Sequence, residues 1–225
     1  KYKPSRKEVD IYDDYILENN NNFIVINKPR GIAVQAGTKS FRNIMDVLKE
    51  SKYFENTKPY IVHRLDKETS GVLIVAKTRE YAQLFTSLFR IRKIHKTYIA
   101  LTHGKVSNNL KTMNDDLVTY DNGKKIIQKA ISHLRLLKIS SDFSYVELNP
   151  ITGRKHQLRK QLYNIGNPIV GDDKYFTNRR VDKMKIKGKN LLLHAYKIKF
   201  MINNIQYNFK AEYDEDFENF LRKNF

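Results

Sequence analysis

Residues 63–66 read His63-Arg64-Leu65-Asp66, and Thr69-Ser70-Gly71 follow shortly after. Behind them Val72 to Ala76 forms an apolar, β-branched run with the length of a buried strand. A carboxylate and a guanidinium in a loop beside such a strand are costly to desolvate unless paired. That cost is usually met where chemistry or recognition happens. To act as acid, base or nucleophile at neutral pH, Asp66 must be ionised and partly dehydrated. A nearby arginine holds a carboxylate in that form. Arg64 is near in sequence; Arg154 and Arg159, in Thr152-Gly153-Arg154-Lys155-His156-Gln157-Leu158-Arg159, are distant candidates. A purely structural turn aspartate is the alternative.

Other chemistries find little support. The chain has no cysteine, so disulfides, thiol nucleophiles and thiolate metal sites are excluded. Its six histidines form no HExxH and no closely spaced pair, and a metal site is not expected. Serine-triad, P-loop and GxGxxG signatures are absent, so neither a nucleotide loop nor a dinucleotide cofactor is expected. A helix expected over Arg154–Lys160 starts at a glycine turn. Its free N–H groups and arginines would seat a phosphate, although a solvated charged face reads the same way. Basic residues from Arg90 to Lys96 follow another helix, where they are favourable anyway. Tyr98 by itself reads as a strand aromatic.

The elements that must hold these residues can be read along the chain. Lys1 to Ile16 reads as a linker or a loosely attached first strand. Phe23 to Ile26 is a strand ending at a Pro/Gly turn. Phe41, Ile44, Met45 and Leu48 predict a helix over 41–50. Thr78 is an N-cap, followed by a helix with Tyr81, Leu84, Phe85, Leu88 and Phe89 inward. Strands are expected at 97–102 and 143–148, and one long strand or two joined ones over 125–139. A second amphipathic helix has Leu158, Leu162 and Ile165 inward and ends at Gly166-Asn167-Pro168. Arg179 to Lys189 reads as an exposed basic loop. A hairpin joins 191–200 to 205–210 through Asn203-Asn204, and Asp214 caps a last helix. This irregular order predicts an α+β fold with a mixed, mainly antiparallel sheet.

The 225 residues, 40% of them hydrophobic, suffice for a real core in one large domain or two small ones. Net charge is +18, which attracts polyanions, nucleic acid first among them. A lysine-rich compositional bias is the competing explanation. No apolar stretch reaches membrane-span length, and no membrane partner is expected. A cysteine-free chain fits a reducing cytosol without requiring it, and a cytoplasmic location is expected. The chain is also expected to be a monomer. Because Lys1 opens the chain, an upstream segment is expected to have been removed or left out.

Taken together, the blocks resemble the RluA-type pseudouridine synthases. They are Ile26-Asn27-Lys28-Pro29 with Gly31, His63-Arg64-Leu65-Asp66 with Thr69-Ser70-Gly71, and Lys96-Thr97-Tyr98-Ile99-Ala100. Thr152-Gly153-Arg154 with His156-Gln157-Leu158-Arg159, Gly166 to Asp172, and Leu193-His194-Ala195 complete the set. The nearest flavour is the RluC-like branch, which modifies large-subunit ribosomal RNA. The resemblance implies the pseudouridine synthase fold, a mixed sheet flanked by helices with a central catalytic cleft. It implies cofactor-free and metal-free isomerisation of uridine in RNA. Asp66 matches the catalytic aspartate, Arg159 the arginine that pairs with it, and Tyr98 the tyrosine stacked on the target base. Arg64 matches the arginine that fills the space of the flipped nucleotide. His63, Arg154, Lys96 and Lys28 join it as expected RNA-binding residues.

Two positions depart from the family pattern: Gln161 replaces a usual histidine, and Lys155 a small hydroxyl residue. Relatives of the branch often carry an S4-like RNA-binding domain ahead of a catalytic domain, here residues 17–225. Lys1–Asp10 would be the remains of the linker between them. A transfer-RNA substrate, or a non-catalytic RNA-binding or ribosome-assembly module on the same fold, are the alternatives. A metal-dependent nuclease would need a carboxylate cluster, and near Asp66 only Glu68 is available.

Overall fold

Ser5 starts the first element of the computed structural model, which describes residues 2–37, 40–176 and 190–225. Its hydroxyl accepts from the Glu8 N–H and caps α1 (Arg6–Ile11). A 3-10 turn (Tyr12–Tyr15) continues it, and β1 (Ile16–Asn19) follows. The expected linker or strand over 1–16 is therefore mostly helical. Val9 and Tyr12, both buried, supply the apolar contacts that order it. Then come β2 (Phe23–Lys28), α2 (Ile44–Lys49), β3 (Tyr60–Ile61), β4 (Ser70–Ala76) and α3 (Arg79–Arg90). The side chain of Asn43 caps α2, so Phe41 lies outside the helix expected to contain it and is 74% exposed. Thr78 caps α3 as expected, accepting from the Tyr81 N–H.

The chain continues with β5 (His95–His103), β6 (Thr112–Asp121), β7 (Lys124–Ile139), β8 (Phe143–Pro150) and α4 (Gln157–Asn164). It ends with β9 (Leu193–Ile202), β10 (Ile205–Lys210) and α5 (Glu215–Asn224). Asn203 and Asn204 both take left-handed conformations in the two-residue turn between β9 and β10. Asp214 caps α5. The loop expected over Arg179–Lys189 lies outside the described residues.

Two compact units emerge, Lys1–Ile94 with Ala195–Tyr213, and His95–His194 with Asp214–Phe225. The first carries the strand order β1-β2-β4-β9, with β3 on β4 and β10 on β9. Its core centres on Phe23, whose ring meets Phe85, Phe200 and Tyr207 edge-on at 5.4, 6.1 and 5.5 Å. The second carries β5-β8-β7-β6, every neighbouring pair antiparallel. Leu158 and Leu162 of α4 pack there with Ala100, Leu134, Val146 and Leu148. The fold is α+β with mainly antiparallel strands, as the element order predicts.

Candidate active site

The loop that carries Asp66 begins where β3 leaves β4. Tyr60 pairs with Ala76 and Ile61 with Val75. Continued pairing would set Val62 opposite Ile74. Instead the Ile74 N–H donates to Nε2 of His63 at 2.8 Å, and the His63 ring stacks on Phe89 of α3 at 4.7 Å. Leu65 is buried, Arg64 is exposed and Asp66 is partly buried. Beyond Asp66 the chain is tied again. The Thr69 N–H donates to the Asp66 carbonyl at 3.1 Å, and the Gly31 N–H to the Lys67 carbonyl at 2.9 Å. Thr69 and Ser70 are buried.

Lys28 completes this anchorage and corrects the expectation that it binds RNA. Its side chain is fully buried, and Nζ donates to the carbonyls of Pro29 (2.8 Å), Ile32 (3.0 Å) and Lys67 (3.2 Å). An ammonium already holding three carbonyls, with no exposed surface, is not available to a phosphate. It joins the Pro29–Gly31 turn to the Asp66 loop. Burial pushes its pKa down to about 7, while the charges of Glu68 and Asp66 pull it up. Replacing Lys28 with methionine is expected to cost about 3 kcal/mol, because buried carbonyls lose their donor. The unfolded lysine keeps its proton to about 10.5 and the folded one sheds it near 7. Wild-type stability relative to Lys28→Met should therefore rise as pH goes from 7 toward 10.5. Urea titrations at several pH values check this; a difference that is flat or shrinks contradicts it.

Gly71 is demanded by a close backbone approach. Its φ is +114°, and a Cβ there would lie 2.1 Å from the Ala195 carbonyl oxygen of β9. No flexible side chain can yield, since the obstacle is main chain. Gly71→Ala is expected to cost more than about 3 kcal/mol by strain and overlap, read as a fall in melting temperature.

In the second unit, Tyr98 lies on β5 opposite Leu148, partly buried against the core. Lys96 shares its face of the strand, two residues back. Burial lowers the Lys96 pKa, and its Nζ is 3.7 Å from where a Cβ on Gly153 would sit. Arg154 precedes α4 rather than lying on it; the helix begins at Gln157 because His156 takes a left-handed conformation (φ 54°). The Arg154 Nε donates to the Lys129 carbonyl at 3.1 Å. The phosphate seat expected at a helix start in Arg154–Lys160 is thus altered: the Arg154 N–H already donates to Oε1 of Gln157 at 3.0 Å.

Arg159 is buried on α4 and makes a two-pronged ion pair with Asp172, Nε and Nη2 each 2.7 Å from a carboxylate oxygen. The Tyr175 ring lies 5.2 Å from its guanidinium carbon. Asp172 also accepts from the Lys174 and Tyr175 N–H groups at 2.9 and 3.0 Å. Its neighbour Gly171 has φ +80°, and a Cβ there would lie 2.1 Å from the Asn190 carbonyl oxygen. Asp172 closes the Gly166–Asp172 block, but nothing in the sequence marks it as the partner of Arg159.

A buried polar chain fixes the helix that carries Arg159. Thr152 Oγ1 donates to Gln157 Oε1 (2.7 Å), and Gln157 Nε2 donates to Ser132 Oγ (2.8 Å). Ser132 Oγ donates in turn to Gln161 Oε1 (2.7 Å), and Gln161 Nε2 to the Ala130 carbonyl (3.1 Å). Gln161, the departure from the family pattern, is fully buried and holds α4 to β6 and β7. Its place in the helix was readable, but its four-partner engagement depends on strands far away in sequence.

The model of the family described as RNA pseudouridylate synthase matches residues 22–164. The chain belongs to this family. It is 36% identical over 201 residues to the ribosomal large subunit pseudouridine synthase C of Rickettsia felis, covering 84% of this chain and 63% of that protein. It is 34% identical over 201 residues to the namesake protein of Buchnera aphidicola, with the same coverage. The D-type protein of Borreliella burgdorferi is 32% identical over 226 residues, covering 92% of this chain and 67% of that one. The chain thus spans 63% of the length of the first two relatives. The solved structure of human RNA pseudouridylate synthase domain containing 4 superposes with a TM-score of 0.78 at 26% identity, covering 96% of this chain and 94% of that one. The family is the one that the motif blocks indicate, and the HRLD and Tyr98 blocks fall inside the matched span.

Among the described residues, no group of three or more His, Cys, Asp or Glu is placed to hold a metal ion. No described helix is long and apolar enough to cross a membrane.

Proposed function

We propose that this chain isomerises uridine to pseudouridine in large-subunit ribosomal RNA, with residues 17–225 as the catalytic part. The observation that carries the reading is the partly buried Asp66 carboxylate on a loop anchored before and after it, in a member of this family. The bond from N1 of the base to C1′ breaks and a bond from C5 to C1′ forms. C5 gives up a proton and N1 regains one, so no oxidant or outside group is needed. Asp66 is the carboxylate that acts at the sugar, Tyr98 the ring that holds the turned base, and Arg159 the third residue of the catalytic set. Arg64, exposed on the same loop as Asp66, fills the gap left by the flipped nucleotide, and Lys96 and Arg154 meet the RNA backbone. Flipping costs a few kcal/mol; aromatic stacking and phosphate contacts offset it.

The ribosomal substrate is supported by the ribosomal large subunit pseudouridine synthases among the relatives. Mapping pseudouridines in RNA from a strain lacking the protein tests it. Loss of sites in large-subunit RNA supports the reading, loss only in transfer RNA redirects it, and an unchanged map overturns it. A cytoplasmic location and action as a monomer belong to the same proposal. With a net charge of +18, RNA affinity should fall steeply between low and moderate salt. Filter binding across a salt series checks this; a flat response would assign the charge to compositional bias.

A further inference from the structure

We infer that His63 is a positioning residue for Asp66, acting as a neutral imidazole that accepts the Ile74 N–H of β4. The inference rests on the proposed function for its catalytic part and replaces the expectation that His63 contacts RNA. Three observations carry it. The Ile74 N–H donates to the ring at 2.8 Å, so Nε2 must present a lone pair and the neutral ring's proton sits on Nδ1. Ile74 is fully buried in the middle of β4, so no water can replace that acceptor. The ring plane is set by stacking on Phe89, at 4.7 Å and 27°.

The geometry explains why a side chain is used. β3 pairs with β4 for only two residues before the chain must leave to form the Asp66 loop. A departing strand strips its partner of a carbonyl acceptor. His63 supplies one from its ring, so the backbone can depart at once. Asp66 lies three residues further on, a reach of about 10 Å at most. The intervening Leu65 is buried. Loss of the ring's acceptor lets the start of the loop move relative to β4, while the anchors beyond Asp66 stay in place. A displacement of about 1 Å at a reacting group costs on the order of 100-fold in rate.

Two variants of the full chain separate this from an RNA contact. His63→Leu keeps apolar bulk against Phe89 and removes the acceptor; His63→Gln keeps an acceptor oxygen. The expected result for His63→Leu is kcat down roughly 100-fold, KM for RNA within about twofold, and faster hydrogen exchange at the Ile74 amide. His63→Gln should recover most of kcat and of the protection. A raised KM with unchanged kcat in His63→Leu would make His63 an RNA contact and overturn the inference. So would wild-type exchange at Ile74, or a His63→Gln enzyme as slow as His63→Leu. Should His63→Leu fail to fold, nitrogen chemical shifts of the wild-type ring decide: a protonated Nε2 overturns the inference. These shifts and the Ile74 exchange need no turnover. They settle the loop-fixing part even if the wild-type protein modifies no RNA, an outcome that would sink the functional reading instead.

Discussion

Asp66→Asn is expected to reduce turnover by at least about 10⁴-fold, the scale seen when a central catalytic group is removed, while RNA affinity stays within about twofold. Asparagine is nearly isosteric. The bond that the loop makes at this residue, from the Thr69 N–H, goes to its main-chain carbonyl and survives. Leu65 stays buried and the Lys67 carbonyl keeps its donors Gly31 and Lys28. What disappears is the negative charge, and with it the ability to attack C1′ or take a proton from C2′. Lys28 loses one of the two charges that raise its pKa, so it should titrate lower in the variant. Single-turnover assays beside filter binding check the split. A variant that keeps more than a few percent of the wild-type rate would remove Asp66 from the chemistry.

Asp172→Ala is expected to destabilise the protein by about 3–5 kcal/mol, the scale for breaking a buried ion pair from one side. The carboxylate is fully buried and the guanidinium nearly so. Removing Asp172 takes both 2.7 Å bonds from Arg159 and strips the Lys174 and Tyr175 N–H groups of their acceptor. The exposed Asp173 lies 3.5 Å from Arg159 and cannot reproduce a desolvated two-pronged pair. Urea denaturation measures the loss. A cost below about 1 kcal/mol, typical of a surface pair, would contradict the assignment of Asp172 as the structural anchor of Arg159. Asp172→Ala and Arg159→Ala together should cost less than the sum of the two single changes.

The sequence carried the strands and helices with strong local signals. Val72 to Ala76 is apolar throughout and became β4; Thr78 and Asp214 stand where capping side chains are needed. β6 was not anticipated. Its inward residues Met113 and Leu117 are separated by Asn114, Asp115 and Asp116, and that polar content hides the alternation. The helix over 41–50 was placed too early because Phe41 fits the spacing, while Asn43 fixes the start by capping. Charge was the least reliable guide. The resemblance makes Lys28 an RNA-binding residue, yet three carbonyls, two at the Pro29–Gly31 turn and its end and one in the Asp66 loop, enclose it. His63 reads the same way, and its ring in fact substitutes for backbone. Gln157 and Gln161 look unremarkable as types, and only the distant Ser132 makes them a network. In each case the residue type was informative and its partner was tertiary.

Exchange of a carbon–nitrogen for a carbon–carbon glycosidic bond at uridine, the reaction proposed for this chain, expels the hydrogen on C5. Incubating the protein with large-subunit ribosomal RNA transcripts carrying tritium at uracil C5 tests it most directly. Tritium should be released to water up to a fixed stoichiometry per transcript, without added cofactor or metal. Folded protein that releases no tritium from ribosomal, transfer or total cellular RNA would contradict it.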